Sequence, residues 1–319
     1  MVTIKYAFFL SHKTPDGVLH TDFLYGVPCQ IFAIKLKRLI MIKKVTVICE
    51  NSVQVPFPLI AEHGLSFLIE DGEDITLFDT GQGLGVVHNL KTLGKNIPAI
   101  KRIILSHGHY DHTGGLLPVL KEHGGTLPVY LNGAAFNEKV AQLPSGATVP
   151  IGMRQTREVY EENGAKFFEV IDGKCRIIDS IASLSGVRHE PDWKPWDRML
   201  KIRSETVVND DLFTDDLSLL LETASGPVVL LGCAHAGMVE ILDQFSGSKG
   251  IKKFHAVIGG THLDSAPEEY VLKAIDAVKR YDVDKIAVSH CTGFKVACRF
   301  ASEFGDKFIN ASVGRVFDF

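Results

Sequence analysis

The sequence predicts an α/β fold, a four-layer αββα sandwich with an inserted segment, in which two sheets pack face to face and helices cover both outer surfaces. Two observations lead there. Strand-like runs cluster early, at 44–49, 65–70 and 75–78. They then recur with helical stretches between them, at 101–105, 217–222, 227–232, 254–258 and 284–288. Composition alone is also compatible with a single doubly wound sheet. No short-period repeat or low-complexity tract points to another architecture.

Taken in order, residues 1–40 carry few strong period-2 or period-3.6 patterns and no chemical motif, and they read as an extension outside the core. Met41 opens MIKKVTVICENS, an alternating strand running into a polar loop. The runs 65–70 and 75–78 are joined by Asp71-Gly72-Glu73-Asp74, a hairpin signal. Helical spacing follows over 84–93, and the strand KRIIL, 101–105, leads into a histidine cluster and a helix over 114–123. Residues 132–216 are the least periodic part of the body. They hold both tryptophans, Trp193 and Trp196, and read as an insertion lying over one end of the sandwich. Helices are expected over 236–245, 267–280 and 294–304, and late strands over 307–310 and 314–317.

With 319 residues, 45% hydrophobic and 23% charged, the chain has ordinary globular composition and length enough for a sizeable core. A net charge of −4 gives no global attraction to nucleic acid or to an anionic membrane, so neither is expected as a partner. The six cysteines form no CxxC pair, which argues against a zinc ribbon or a thioredoxin-type motif. The apolar run at the start is too short for a secretory signal, and QIFAIKLKRLIMI is broken by Lys35, Lys37 and Arg38. A cytoplasmic protein with reduced thiols is the expectation.

The chemistry concentrates in SHGHYDHTGG, residues 106–115, with three histidines and an aspartate inside six positions. Imidazole and carboxylate are the usual ligands of zinc and similar divalent ions. His107 and His109 flank Gly108 after a strand, and in extended backbone i and i+2 point the same way, toward one ion. Asp111 and His112 stand at a helix entrance and diverge from that pair, which suits a second ion. Gly114 and Gly115 are read as allowing a sharp turn.

At these residues the chain resembles the metallo-β-lactamase superfamily over roughly 41–319. The resemblance implies an αββα fold with one or two metals at the edge where the sheets meet, and mostly hydrolytic activity. It also implies roles for further residues. Asp79, in LFDTGQG, would hold the ligand loop or orient an imidazole. The motif's second histidine, His109, favours zinc-type hydrolytic chemistry over a redox site, with manganese or iron as alternatives. In GCAHAG either Cys233 or His235 would complete the site, His235 being favoured and His189 a weaker candidate. His290, in SHCTG, would be the final metal ligand, and His262, in GGTHL, would contact substrate. HGHYDHTGG, GCAHAG, GGTHL and SHCTG, with the opening ENSV, resemble one branch of the superfamily, named for 7,8-dihydropterin-6-methyl-4-(β-D-ribofuranosyl)-aminobenzene-5′-phosphate synthase.

The expected site therefore has His107, His109 and His235 on one ion and Asp111, His112 and His290 on a second, with Asp111 and His262 in catalysis. A hydrolase acting on a small phosphorylated substrate is the leading expectation. A synthase-type transferase and a non-catalytic metal-dependent binding protein are the alternatives. If residues 1–40 stand outside the core, a chain beginning at Met41 will melt at nearly the temperature of the full chain in scanning calorimetry. A large fall would show that they pack on it.

Overall fold

The computed structural model describes residues 9–13, 19–23 and 41–319, apart from 172, 191, 192 and 206. The chain divides into two compact units, residues 1–40 and 41–319. In the first, the expected extension, most residues lie outside those described. Its described part is one antiparallel pair, β1 (Phe9–Lys13) and β2 (Leu19–Phe23), with Phe9 opposite Phe23. The sequence reading had no strand there.

The second unit holds two large sheets. The first has seven strands: β10 (Ala165–Glu169), β7 (Leu127–Leu131), β6 (Arg102–Ile104), β5 (Asp74–Phe78), β4 (Ser66–Asp71), β3 (Lys44–Cys49) and β19 (Val316–Asp318). The second has six: β11 (Gly173–Ile178), β12 (Ile181–Ser185), β15 (Leu217–Thr223), β16 (Gly226–Leu231), β17 (Ala256–Gly260) and β18 (Lys285–Ser289). Each sheet is antiparallel through its hairpins and turns parallel toward the histidine motifs, β5 with β6 in one and β16 with β17 and β18 in the other.

Period-2 alternation explains the four layers. Leu217, Leu219 and Leu221 point into the core between the sheets with Val228, Leu230 and Ile258, where they meet Val45, Phe67, Phe78 and Ile104 of the other sheet. The intervening Leu220, Val229, Leu231 and Val257 face outward. There they pack under α5 (Met238–Lys249), α6 (Glu268–Arg280) and α7 (Phe294–Phe304), through residues such as Met238, Ile275 and Phe300. Across the first sheet, Leu68, Leu77 and Val129 pack under α1 (Val86–Thr92) and α3 (Leu116–His123). Strands buried on both faces read as continuous apolar runs, as LSLLL does.

Residues 132–216 depart from the expected insertion. β10 joins the seven-stranded sheet and β11 and β12 join the six-stranded one, so much of the segment belongs to the sandwich. What stands apart is a four-stranded sheet of β14 (Val207–Asp210), β13 (Leu200–Ser204), β8 (Glu138–Gln142) and β9 (Thr148–Pro150). The short, half-exposed strands there carry weak alternation, which is why the sequence reading saw no pattern. The strand expected at 307–310 is also absent: Gly305–Lys307 is a single 3-10 turn, and Phe308 makes one isolated bridge to Ile286.

Lys139 of β8 ties the small sheet to the body. Its ammonium is fully buried between Asp211 at 2.7 Å and Asp215 at 2.9 Å. Burial lowers its pKa, but the two carboxylates more than compensate and hold the charge in place. Removing the cation would strand two buried carboxylates. Lys139→Met is expected to destabilise the chain by about 3–5 kcal/mol in urea unfolding, the range for breaking one partner out of a buried ion pair. A change under about 1 kcal/mol would show the pair to be replaceable by packing.

Candidate metal centre

Every motif of the sequence analysis arrives at one edge of the sandwich, at the C-terminal ends of parallel strands, where α/β sheets place their ligands. After β5 comes Asp79, and after β6 the loop Ser106–Asp111 running into a one-turn helix, α2 (Tyr110–Thr113). After β16, β17 and β18 come Cys233 and His235, His262, and His290. Asp79, Ala234, His262 and His290 all have positive φ, between 49° and 58°. None is glycine. Backbone of this kind costs about 1–3 kcal/mol per residue and concentrates where side chains must be aimed.

Two donor sets adjoin. His107, His109 and His235 present ring nitrogens within 4.8 Å of one another, and His107 Nε2 lies 2.9 Å from His109 Nδ1. In the other set, His290 Nε2 is 3.2 Å from Asp111 Oδ2, His112 Nε2 is 3.3 Å from His290 Nε2, and His112 Nε2 is 3.8 Å from Asp111 Oδ2. Cys233 Sγ stands 3.0 Å from His112 Nε2 and groups with His107 and His112. Both Cys233 and His235 therefore reach the centre, from either side of Ala234.

The donors fit a cation. His109 Nε2 and both ring nitrogens of His235 are buried with no hydrogen-bond partner, and buried imidazole nitrogens without partners are costly unless something accepts their lone pairs. Burial pushes the pKa values of His107 and His235 well down, and burial followed by the Lys139 charge takes His109 to about 3. All three are thus neutral lone-pair donors at physiological pH. Burial would raise the Asp111 carboxyl, yet His112 and His290 outweigh it and hold it well below the usual carboxylate range.

Surrounding groups fix which nitrogen faces inward. Asp79, fully buried, has Oδ2 2.7 Å from His112 Nδ1 and accepts bonds from the Ser106 amide and hydroxyl, each at 2.7 Å. Ser106 Oγ in turn meets His107 Nδ1 at 2.9 Å. His290 Nδ1 meets Asn51 Oδ1 at 3.0 Å, and its amide donates to Glu50 Oε1 at 2.9 Å. With Nδ1 protonated on these acceptors, Nε2 of His112 and His290 is left to the centre.

Other residues were not found from the sequence. Glu50 and Asn51 stand in the ENSV motif but have no donor spacing to reveal them. His63, which lies in no motif, has Nε2 3.3 Å from Asp111 Oδ2. Asp215 accepts the Gly108 amide at 2.8 Å and Asp216 accepts the Ala236 amide at 2.9 Å, so one dipeptide holds both ligand loops. Burial pushes Asp216 up to about 7. Asp197 reaches His262 Nε2 at 3.1 Å. Against burial, that bond and the Cys291 sulfur push His262 up to about 10, while its Nδ1 is buried and unpartnered.

Two expectations shift. His189 stacks on Trp193 at 3.7 Å and has no place among the donors. Trp196, in the same segment, packs on Tyr270 and donates to the His262 carbonyl at 3.0 Å. Gly114 and Gly115 have ordinary helical φ of −63° and −83°. They are small because a Cβ would strike the carbonyls of Gln82 and Thr80.

Fold and site together define a class: the chain belongs to the metallo-beta-lactamase superfamily, whose profile matches residues 59–290. Within it the chain falls in the branch of synthase-like proteins anticipated from the motifs. It is 32% identical over 285 residues to the 7,8-dihydropterin-6-methyl-4-(beta-D-ribofuranosyl)-aminobenzene-5'-phosphate synthase of Methanocaldococcus jannaschii, covering 86% of this chain and 96% of that one. Among solved structures it is similar to Tm1679, described as a metal-dependent hydrolase of the beta-lactamase superfamily, with TM-score 0.74, 26% identity and coverage of 87% and 99%. Zinc-bound PqqB of Methylobacterium extorquens shares the fold, with TM-score 0.51, 11% identity and coverage of 86% and 100%. Among the described residues no helix is long and apolar enough to cross a membrane.

Metal analysis of purified protein tests the donor sets. His109→Ala and His235→Ala are expected to lose bound divalent metal, Cys233→Ser to keep most of it, and Asp79→Asn to weaken affinity by about 10- to 100-fold. Loss in Cys233→Ser with retention in His235→Ala would move the ligand role to the thiol.

Proposed function

We propose that the protein is a metal-dependent hydrolase that cleaves a phosphate ester or diphosphate in a small phosphorylated molecule, using two divalent ions of the zinc type, or manganese or iron. The observation that carries this reading is the pair of adjoining donor sets, His107, His109 and His235 beside Asp111, His112 and His290, opening on one pocket of about 180 Å³.

Divalent ions held there would polarise a phosphoryl oxygen and bring the pKa of bound water from about 15.7 to near 7. The chain's own groups supply orientation and protons. The depressed pKa values of His107, His109 and His235 keep their lone pairs available across the neutral range. Asp111, ionised throughout that range, accepts a hydrogen bond from the attacking water. His262, protonated and braced by Asp197, has a second N–H at Nδ1 to donate to the leaving-group oxygen. No side-chain nucleophile is required.

A second reading, a transferase of the kind named for the relative, draws on one further feature: a cleft of about 1170 Å³ beside the pocket, which has room for a second organic substrate. There the diphosphate leaves as an aminobenzene group attacks a pterin methylene. The two readings part on a simple assay. The metal-loaded enzyme is expected to hydrolyse bis(4-nitrophenyl) phosphate weakly, with the activity lost to chelator. Inertness with zinc, manganese and iron alike, together with turnover that needs both organic substrates, would overturn the hydrolase.

A further inference from the structure

The metal pocket is small. Sites for organic ligands run to about 300–1,000 Å³, and a pocket of about 180 Å³ takes a phosphoryl group and little else. The large cleft adjoins it: Tyr110 and Ile151 line both. Tyr110 sits between the donors His109 and Asp111, and its amide donates to the Ile151 carbonyl at 2.9 Å. The cleft is thus held in register with the donor loop.

Its charged lining is nearly all spent within the protein. Glu138 pairs with Arg203 at 2.6 Å, Glu169 with Arg157 at 3.1 Å, and Lys139 with Asp211 and Asp215. Arg154 is different. It is exposed, its guanidinium lies over the Tyr110 ring at 5.2 Å, and no carboxylate stands within ion-pair distance among the described residues. A guanidinium held over an aromatic face by cation–π attraction keeps its N–H donors free for phosphate oxygens.

We propose that this cleft is a second phosphate subsite: the substrate spans from the metal pocket past Tyr110 and sets a distal phosphate on Arg154. The inference rests on the reading that a phosphoryl group occupies the metal pocket, and it adds that the substrate carries two phosphate groups separated by an organic spacer.

Calorimetric binding to the metal-loaded protein tests it without turnover. The ligands are alkanediol bisphosphates with spacers of two to eight carbons, with butyl phosphate as the single-ended control. One spacer length is expected to bind at least about tenfold tighter than butyl phosphate, the gain of one charge-assisted contact. In Arg154→Ala that gain should fall to within twofold, and Arg154→Lys should recover part of it. Both variants are checked for an unchanged melting temperature. No length at which affinity rises, or a rise that survives in Arg154→Ala, would overturn the subsite. The nitrophenyl assay is read separately. Inertness with all three metals and turnover that needs both organic substrates, beside Arg154-dependent bisphosphate binding, removes the hydrolase and keeps the subsite, whereas an active enzyme with no length dependence removes the subsite alone.

Discussion

The centre depends on one buried carboxylate. Asp79 sits at the end of a core strand with no exposure at all, and a charge so placed is tolerated only when its lone pairs are filled. Ser106 fills them through its amide and hydroxyl, and the His112 ring takes another position. Those contacts aim the His107 imidazole through Ser106, set the tautomer of His112, and fix the start of the loop that carries His109 and Asp111. A left-handed backbone at Asp79 is what turns its side chain onto that loop. Packing of the sandwich supplies the energy that holds this conformation, and the site inherits its precision from the core.

A second constraint acts from the far side. Asp215 lies in the turn before β15, with Asp216 directly after it. One takes the Gly108 amide and the other the Ala236 amide. Because Asp215 also binds Lys139, the small four-stranded sheet is mechanically continuous with the donor loop. What the chain adds outside the common sandwich is therefore joined to the reacting centre through one buried cation and two carboxylates.

Much of this was legible in the sequence, and the reason is locality. HGHYDH carries its donors within six residues, and LSLLL or VVLL declares burial on both faces without reference to anything distant. The strand and helix positions of the sandwich follow from such runs, most of them to within two residues. What escaped notice is long-range. Glu50 and His290 lie 240 positions apart, and Gly108 and Asp215 lie 107 apart. Nothing in either segment announces the other. His63 escaped because a lone histidine in a polar loop is ordinary until the fold sets Asp111 beside it. The middle segment was misread for a physical reason too: β10 to β12 complete sheets begun elsewhere, so their pattern makes sense only beside partner strands.

The donors come from both halves of the sandwich: His107, His109, Asp111 and His112 follow a strand of the seven-stranded sheet, His235 and His290 strands of the six-stranded one. An ion gripped by both sides would act as a rivet across the seam, beside the apolar core between the sheets and polar links such as His290 to Glu50 and Gly108 to Asp215. Such an ion would bind the closed sandwich and not the opened chain, so filling the site would add to the free energy of parting the halves. Metal supply would then govern how long each molecule survives against proteolysis, and slow amide exchange along the seam would become a measure of occupancy.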